Sequence, residues 1–326
     1  MKGGAGVIIS ASRRTDIPNY YSEWFLNRIK EGYLYVRNPM NPRQISRIPL
    51  SPELVDCIVF WTKNPEPMIG RLEELKDYRY YFQFTLTGYG RDIEVGIPHK
   101  KNNMIPVFQR LSRMIGKERV VWRYDPILFT DRYTPDYHLS AFEQIAEALQ
   151  GYTSKCVISF VDTYAKNQKA LGALHAFSLQ GGQLTAFAAE IAAIAETHHM
   201  KAASCAEEVD LSACGIAHNC CIDKELIERL TECRIKAEKD KNQRKECGCI
   251  ESIDIGAYNT CKSGCLYCYA GGNLSRKEDA GGTNAASGGS LYDVCSPLLC
   301  GKITQADRVA ERKVKSWKEA QRTVWD

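Results

Sequence analysis

The sequence predicts an α/β protein, and three observations lead there. Six short apolar runs rich in β-branched and aromatic residues recur along the first 205 residues. Stretches with helical spacing of apolar side chains separate them, the alternation expected of repeated βα units around a parallel sheet. After Cys205 the composition changes and cysteines become frequent, which sets off a second region.

The elements follow in order. The first strand is Gly6-Val7-Ile8-Ile9-Ser10, and a helix near 20–30 places Tyr21, Trp24, Phe25 and Ile29 on one face. The loop between them, Ser12-Arg13-Arg14-Thr15-Asp16, is dense in charge. Residues 31–54 read as a long polar connection with no assignable element. The second strand, Asp56 to Trp61, ends in Thr62-Lys63-Asn64-Pro65, and a helix over about 67–76 buries Met68, Ile69, Leu72 and Leu75. Tyr80 to Thr87 forms the third strand, stopped by Gly88. The next helix carries Val107, Phe108, Leu111, Met114 and Ile115, with Gly116 as its left-handed stop. The fourth strand is Arg119 to Asp125. Thr134 and Pro135 then offer an N-cap and a first-turn proline for a helix with Leu139, Phe142, Ile145 and Leu149 inward. Cys156 to Asp162 is the fifth strand, a helix spans roughly 184–198, and Lys201 to Cys205 is a short sixth strand. In the second region Asp223 caps a helix bearing Leu226, Ile227 and Leu230. Residues 271–290 have linker composition, and Gln305 to Trp325 has helical composition with a basic face.

With 326 residues, 44% hydrophobic and 25% charged, the chain is long enough for a full core, and its composition is that of a globular protein. No apolar run approaches the ~20 residues that cross a bilayer, and no secretory h-region opens the chain. No membrane partner is expected, and the expected address is cytoplasmic. There, fourteen cysteines read as metal ligands and free thiols rather than a disulfide framework. A net charge of +4 is too small to argue for a nucleic-acid partner, which is not expected.

The chemistry concentrates between Cys247 and Ala270. Cys261, Cys265 and Cys268 stand in a C-x3-C-x2-C arrangement, with Tyr267 just before the last. Such spacing lets one loop wrap an iron–sulfur core, and three thiolates leave one corner of a 4Fe-4S cluster open. Structural zinc, the competing metal, wants four closed ligands and paired C-x2-C knuckles.

This loop resembles the cluster motif of the radical S-adenosylmethionine (SAM) superfamily, although that superfamily carries it after the first strand and here it lies late in the chain. The whole chain resembles the family called domain of unknown function 1848. The matching residues are Ile9 to Pro18, Phe60 to Pro65, Trp122 to Pro126, Ser204-Cys205-Ala206-Glu207, Gly215-Ile216, Cys221-Ile222-Asp223 and the Cys247–Ala270 stretch. The superfamily resemblance implies a partial (β/α)6 TIM-like barrel; the six units fit an open doubly wound sheet equally well. In a barrel the loops after the strands build the active site. The expected organisation is a βα-repeat domain over 1–205, a cysteine-rich iron–sulfur lobe over 206–300 on the barrel mouth, and a C-terminal helix over 301–326.

The resemblance also implies SAM as cofactor, bound at the open iron of the Cys261/Cys265/Cys268 cluster, with Tyr267 against its adenine or else shielding the cluster from water. Glu207 reads as a contact for the SAM amino group, a base or a surface acid. Cys205, Cys221, Cys247 and Cys249 occupy the family's remaining cysteine positions and would close a second cluster; Cys214, Cys220 and Cys233 remain as substitutes. Charged residues gather at the strand ends, so Arg14, Asp16, Lys63, Arg123, Asp125 and Glu207 are the catalytic candidates. Arg13, Arg14 and Lys63 grip an anion or else form an ion-pair ring with Asp16, Asp125 and Asp162. Cys57, Cys156, Cys295 and Cys300 read as spectators. The function expected is a radical SAM-type enzyme that reductively cleaves SAM and takes hydrogen from an unidentified substrate, served by an electron donor such as flavodoxin or ferredoxin. The alternatives are a non-catalytic iron–sulfur electron carrier or redox sensor, and a zinc-stabilised nucleic-acid module.

Overall fold

The computed structural model describes residues 7–271, 292–314 and 316–319. In chain order the first elements are β1 (Val7–Ala11), α1 (Ile17–Tyr20), α2 (Ser22–Glu31), β2 (Tyr33–Arg37), β3 (Gln44–Pro49), β4 (Val55–Thr62), α3 (Glu66–Ile69), β5 (Tyr80–Thr85) and α4 (Ile105–Ile115). They continue with β6 (Val120–Ile127), α5 (Pro135–Leu149), β7 (Lys155–Phe160), α6 (Gln168–Ala173), α7 (Gly182–Thr197) and β8 (Lys201–Ser204). The second region holds β9 (Ala217–His218), α8 (Lys224–Thr231), β10 (Ile253–Asp254) and β11 (Arg308–Glu311).

All six apolar runs are strands, and with two short additions they form one eight-stranded sheet in the order β10-β1-β4-β5-β6-β7-β8-β9. Every pairing in it is parallel. The order of the six long strands follows the sequence without reversal, unlike a doubly wound sheet, whose strand order turns back at a switch point. Each strand is buried on both faces, which explains why its sequence is a continuous apolar run rather than an alternation.

The two faces are covered differently. Ile9, Ile58, Phe82, Trp122 and Ile158 point into a core completed by Phe25, Phe108, Phe142, Phe187 and other residues of α2, α4, α5 and α7. On the opposite face Ile8, Val59, Tyr81, Val121 and Val157 meet Cys221, Ile222, Leu226, Ile227, Cys249 and Ile250. The second region therefore runs across the sheet: it adds β9 beside β8 at one edge and β10 beside β1 at the other. Asp223 caps α8 by accepting from the Leu226 amide at 3.1 Å, as its sequence position predicts.

Three expectations are corrected. The connection at 31–54 contains β2 and β3, an antiparallel pair to which β11 adds in parallel as a second, three-stranded sheet. Tyr33, Tyr35 and Val36 supply strand propensity there that the surrounding polar residues mask. The helix expected over 67–76 breaks at Gly70 into α3 and a 3-10 turn at Leu72–Leu75. The helix expected over 301–326 is not present among the described residues, where β11 occupies that stretch and pairs with β3. The linker-like stretch lies outside the described residues except for Gly271.

Candidate functional site

The C-terminal ends of the parallel strands carry the charged residues, and the Cys247–Ala270 stretch lies against them. Asp16, following β1, caps α1 through the Asn19 amide (3.1 Å) and accepts the Lys63 amide, following β4, at 2.8 Å. Burial pushes its carboxyl up to about 6 against those hydrogen bonds. The Lys63 side chain turns to Glu94, with Nζ 2.7 Å from Oε1, and also donates to the Tyr267 hydroxyl at 2.8 Å. Tyr267 donates to the same Glu94 oxygen, Thr87 donates to it at 3.0 Å, and Lys100 pairs with the other. Burial would raise the Glu94 carboxyl, but Lys63 and Lys100 outweigh it and hold it down at about 2. Glu94 is thus a buried anion shared by two lysines and a tyrosine.

Cys261, Cys265 and Cys268 adjoin this network. The Glu94 and Cys265 backbones form an antiparallel bridge, the Leu266 amide donates to Ile93 O at 3.0 Å, and the Gly96 amide donates to Ser263 O at 2.9 Å. A Cβ on Gly96 would lie 3.0 Å from both the Lys262 and Ser263 carbonyls, so only glycine lets the two loops touch. Within the cysteine loop the Cys268 amide donates to Cys265 O at 3.1 Å, and the Gly271 amide donates to the Cys268 sulfur at 3.2 Å. Burial raises the Cys265 thiol despite nearby Lys63, with Cys268 and Cys261 pushing the same way. All three thiols are half-buried. Tyr267 is buried among Tyr89, Leu128 and Tyr133.

A second sulfur group lies on the face of the sheet that the second region covers. The Cys205 and Cys221 sulfurs are 3.3 Å apart. The Cys249 thiol lies close to those of Cys221 and Cys247. Arg123 donates to the Cys221 sulfur at 2.8 Å and also pairs with Asp125, which accepts from Ser159. The Asn219 amide nitrogen donates to Cys221 at 3.3 Å, and the Ile222 amide to Cys249 at 3.3 Å. Burial opposes the Arg123 charge, but Asp125 and the thiols drive its pKa well up. Arg13, stacked over Trp61 at 5.2 Å, is held charged against burial by Cys249, Cys221, Asp254 and Cys247.

Of these four sulfurs, those of Cys205 and Cys221 are in direct contact. Two thiolates on one tetrahedral zinc stand ~3.8 Å apart given zinc–sulfur bonds of ~2.3 Å, so the 3.3 Å pair is a contact of thiols. Among the described residues no group of three or more His, Cys, Asp or Glu is set out to hold a single metal ion. Four thiols beside a buried arginine have the chemistry to take an anionic iron–sulfur core. A 3.3 Å contact is also too close for ligands of two separate irons, so Cys205 and Cys221 would have to move apart to hold one. Nη2 of Arg13 and Oδ1 of Asn219 are buried beside these sulfurs without hydrogen-bond partners among the described residues. A negatively charged, hydrogen-bond-accepting group would satisfy the arginine.

The other candidates fall in several places. Glu207 accepts the Phe160 amide at 2.9 Å, and burial lifts its carboxyl to about 7. Arg14 lies over Tyr258 at 5.2 Å and 4.0 Å from Asp254. The expected ring of ion pairs does not form as drawn: Lys63 pairs with Glu94, Arg14 with Asp254, and Asp162 with Arg244. Cys57 and Cys156 are fully buried in the sheet, and every cysteine among the described residues is free. Cys220 lies beside the quartet loop, where a Cβ on Gly248 would come 2.6 Å from its sulfur.

Two residues escaped the sequence reading. Asp254 accepts from Ser10 (2.9 Å), Ser12 (2.7 Å) and the Arg13 amide (2.9 Å), fixing the charged loop after β1. An acid inside the apolar Ile253-Asp254-Ile255 run was its visible signal. Glu94 had none, since it lies in a glycine-rich connection with no periodicity.

Fold and site together define an α/β protein on a mainly parallel eight-stranded sheet with a cysteine-rich segment across one face. The chain belongs to the family described as Domain of unknown function (DUF1848), whose profile matches residues 8–270. No curated protein matches the sequence. Among solved structures, one described as a "putative alpha-L-fucosidase" from Bacteroides thetaiotaomicron VPI-5482 shares 11% identity, covering 70% of this chain and 83% of that one. Its TM-score of 0.27 is too low to carry an argument about fold or activity.

Proposed function

We propose that the protein is an iron–sulfur enzyme of the radical SAM type, with Cys261, Cys265 and Cys268 holding an open-cornered 4Fe-4S cluster and Cys205, Cys221, Cys247 and Cys249 a closed one. The sheet is then a partial (β/α)6 barrel, with the cysteine-rich segment as its iron–sulfur lobe. Bound there, the open cluster and SAM supply the electron and the radical that the protein cannot. The observation carrying this reading is that the seven cysteines sort into two groups, one half-buried and one largely buried, each beside a positive side chain: Lys63 near Cys265, and Arg123 and Arg13 near the quartet.

The roles of the chain's own residues follow from their contacts. Glu94 fixes Lys63 and Tyr267 beside Cys265. Arg123 and Arg13 offset the charge of four thiolates in a poorly solvated interior. Asp16 and Asp254 hold the loop after β1. Glu207 and Tyr267 remain the proposed contacts for SAM, and a flavodoxin- or ferredoxin-like donor the proposed partner, in the cytoplasm. One observation favours the non-catalytic carrier as second reading: the quartet offers four protein sulfurs, enough to close every corner of a cluster, as suits electron transfer.

Anaerobic reconstitution followed by reduction with SAM present separates the two. The enzyme reading predicts 5′-deoxyadenosine from the native chain and none from Cys265→Ala, with iron still bound at the quartet. Undiminished product in the variant, or none from iron-loaded native protein, would contradict it.

A further inference from the structure

The connection between β5 and α4 has two sides. One packs on the cysteine loop through Ile93, Glu94 and Gly96. The other faces α5 across a groove of about 1330 Å³. That exceeds the ~300–1,000 Å³ of ordinary small-molecule pockets. Gly88 brings the two walls together, since a Cβ there would lie 2.8 Å from that of Ala141 and 3.1 Å from the Tyr124 hydroxyl.

The groove has one aromatic wall and a positive rim. Tyr137 is 39% exposed, donates its hydroxyl to Gly88 O at 2.7 Å and meets Tyr133 edge-on at 5.0 Å. Tyr133 donates its own hydroxyl to Asp92 at 2.7 Å. With the Tyr137 hydroxyl spent, this exposed side chain has its ring left to offer. Of the cations in the lining, Arg132 is paired with Asp92 at 3.1 Å, and Lys100 is directed inward to Glu94. Arg91 and Lys101 are exposed, and their side chains make no ion pair or hydrogen bond among the described residues. The lining has a single acid, Glu147. A flat ring for stacking and free cations lining the same groove are the combination that nucleotides and single strands exploit.

We propose that this groove binds a phosphate-bearing aromatic ligand of nucleotide type, its ring on Tyr137 and its phosphate between Arg91 and Lys101. Lys100 lines the groove, but its ammonium is engaged by Glu94 and is not among the phosphate's partners. This goes beyond the radical SAM reading and does not depend on it, because no groove residue is a proposed cluster ligand.

Calorimetric titration of the anaerobically purified protein tests it, with AMP, adenosine, pyrophosphate and a short oligothymidylate as probes. AMP should bind at least tenfold more tightly than adenosine or pyrophosphate, since each of those lacks one half of the recognised chemistry. Arg91→Glu with Lys101→Glu should weaken AMP at least tenfold without moving the melting temperature. Tyr137→Phe should retain binding and Tyr137→Ala should lose it. Oligothymidylate binding tenfold tighter than AMP identifies a nucleic-acid strand as the source, and the reverse identifies a free nucleotide. Indifference of AMP affinity to the charge-reversed variant, or binding of neither AMP nor the oligomer, overturns the proposal. Excess SAM should leave AMP affinity unchanged, so cluster chemistry and groove binding can fail separately.

Discussion

Arg123 is the residue on which most of the interior polar structure converges. It is 5% exposed and reaches Cys221, Gln83 and Asp125 at once. Removing one member of a buried pair leaves the other charge unsatisfied, at a cost of about 3–5 kcal/mol. Arg123→Met should therefore lower unfolding free energy by about 3 kcal/mol in urea titrations; a loss under ~1 kcal/mol would mean the pair is solvated. His138 offers a pH test away from the cysteines. Fully buried, it contacts the Tyr124 hydroxyl (2.9 Å) and Leu128 O (3.1 Å), and burial lowers its pKa to about 4. Because the unfolded chain takes up this proton near pH 6.5 and the folded chain only near 4, stability falls as pH drops through that window. Between pH 7.5 and 5 the native chain should lose about 2 kcal/mol more than His138→Gln. Equal slopes for the two proteins would show that the imidazole is not held neutral.

At the scale of elements, the connection between β5 and α4 decides how the cysteine trio is held. Gly96→Ala should push the two loops apart, since the carbonyls at 3.0 Å belong to backbone and cannot swing away. Alkylation of Cys261, Cys265 and Cys268 should then accelerate several-fold, while the quartet, packed with Leu226 and Ile227 of α8, keeps its rate. Equal acceleration at both groups would mean that the loops are not separately anchored. This is also where the sequence was least informative. Strands buried on both faces announced themselves as apolar runs, and Asp223 announced α8 by its capping position. Glu94, Gly96 and Lys100 lie in a stretch of glycine, proline and mixed charge with no period to read. Their importance arises only when the chain returns some 170 residues later with Tyr267, which bonds Glu94 across a separation of 173 positions. β2 and β3 were missed for a related reason, since half of that sheet's support comes from distant β11.

On the scale of the molecule, the second region is inseparable from the sheet. It supplies both edge strands and the apolar cover of one face between them. Asp254 ties β10 to Ser10 of β1 and to Ser12 just beyond it, and a Cβ on Gly256 would fall 2.0 Å from the Ser12 hydroxyl, so a larger residue there would displace it. The cysteines at 205, 221, 247 and 249 were recognisable in the sequence as a set by family resemblance alone, because no short spacing unites them. The trio was recognisable by spacing. Iron analysis of three anaerobically reconstituted proteins tests the division into two centres most directly: the native chain, Cys261/Cys265/Cys268→Ala, and Cys221/Cys247/Cys249→Ala. Two four-iron clusters predict about eight irons in the first and about four in each variant. An iron-free native chain, or the loss of all iron on removing either group, would contradict the account.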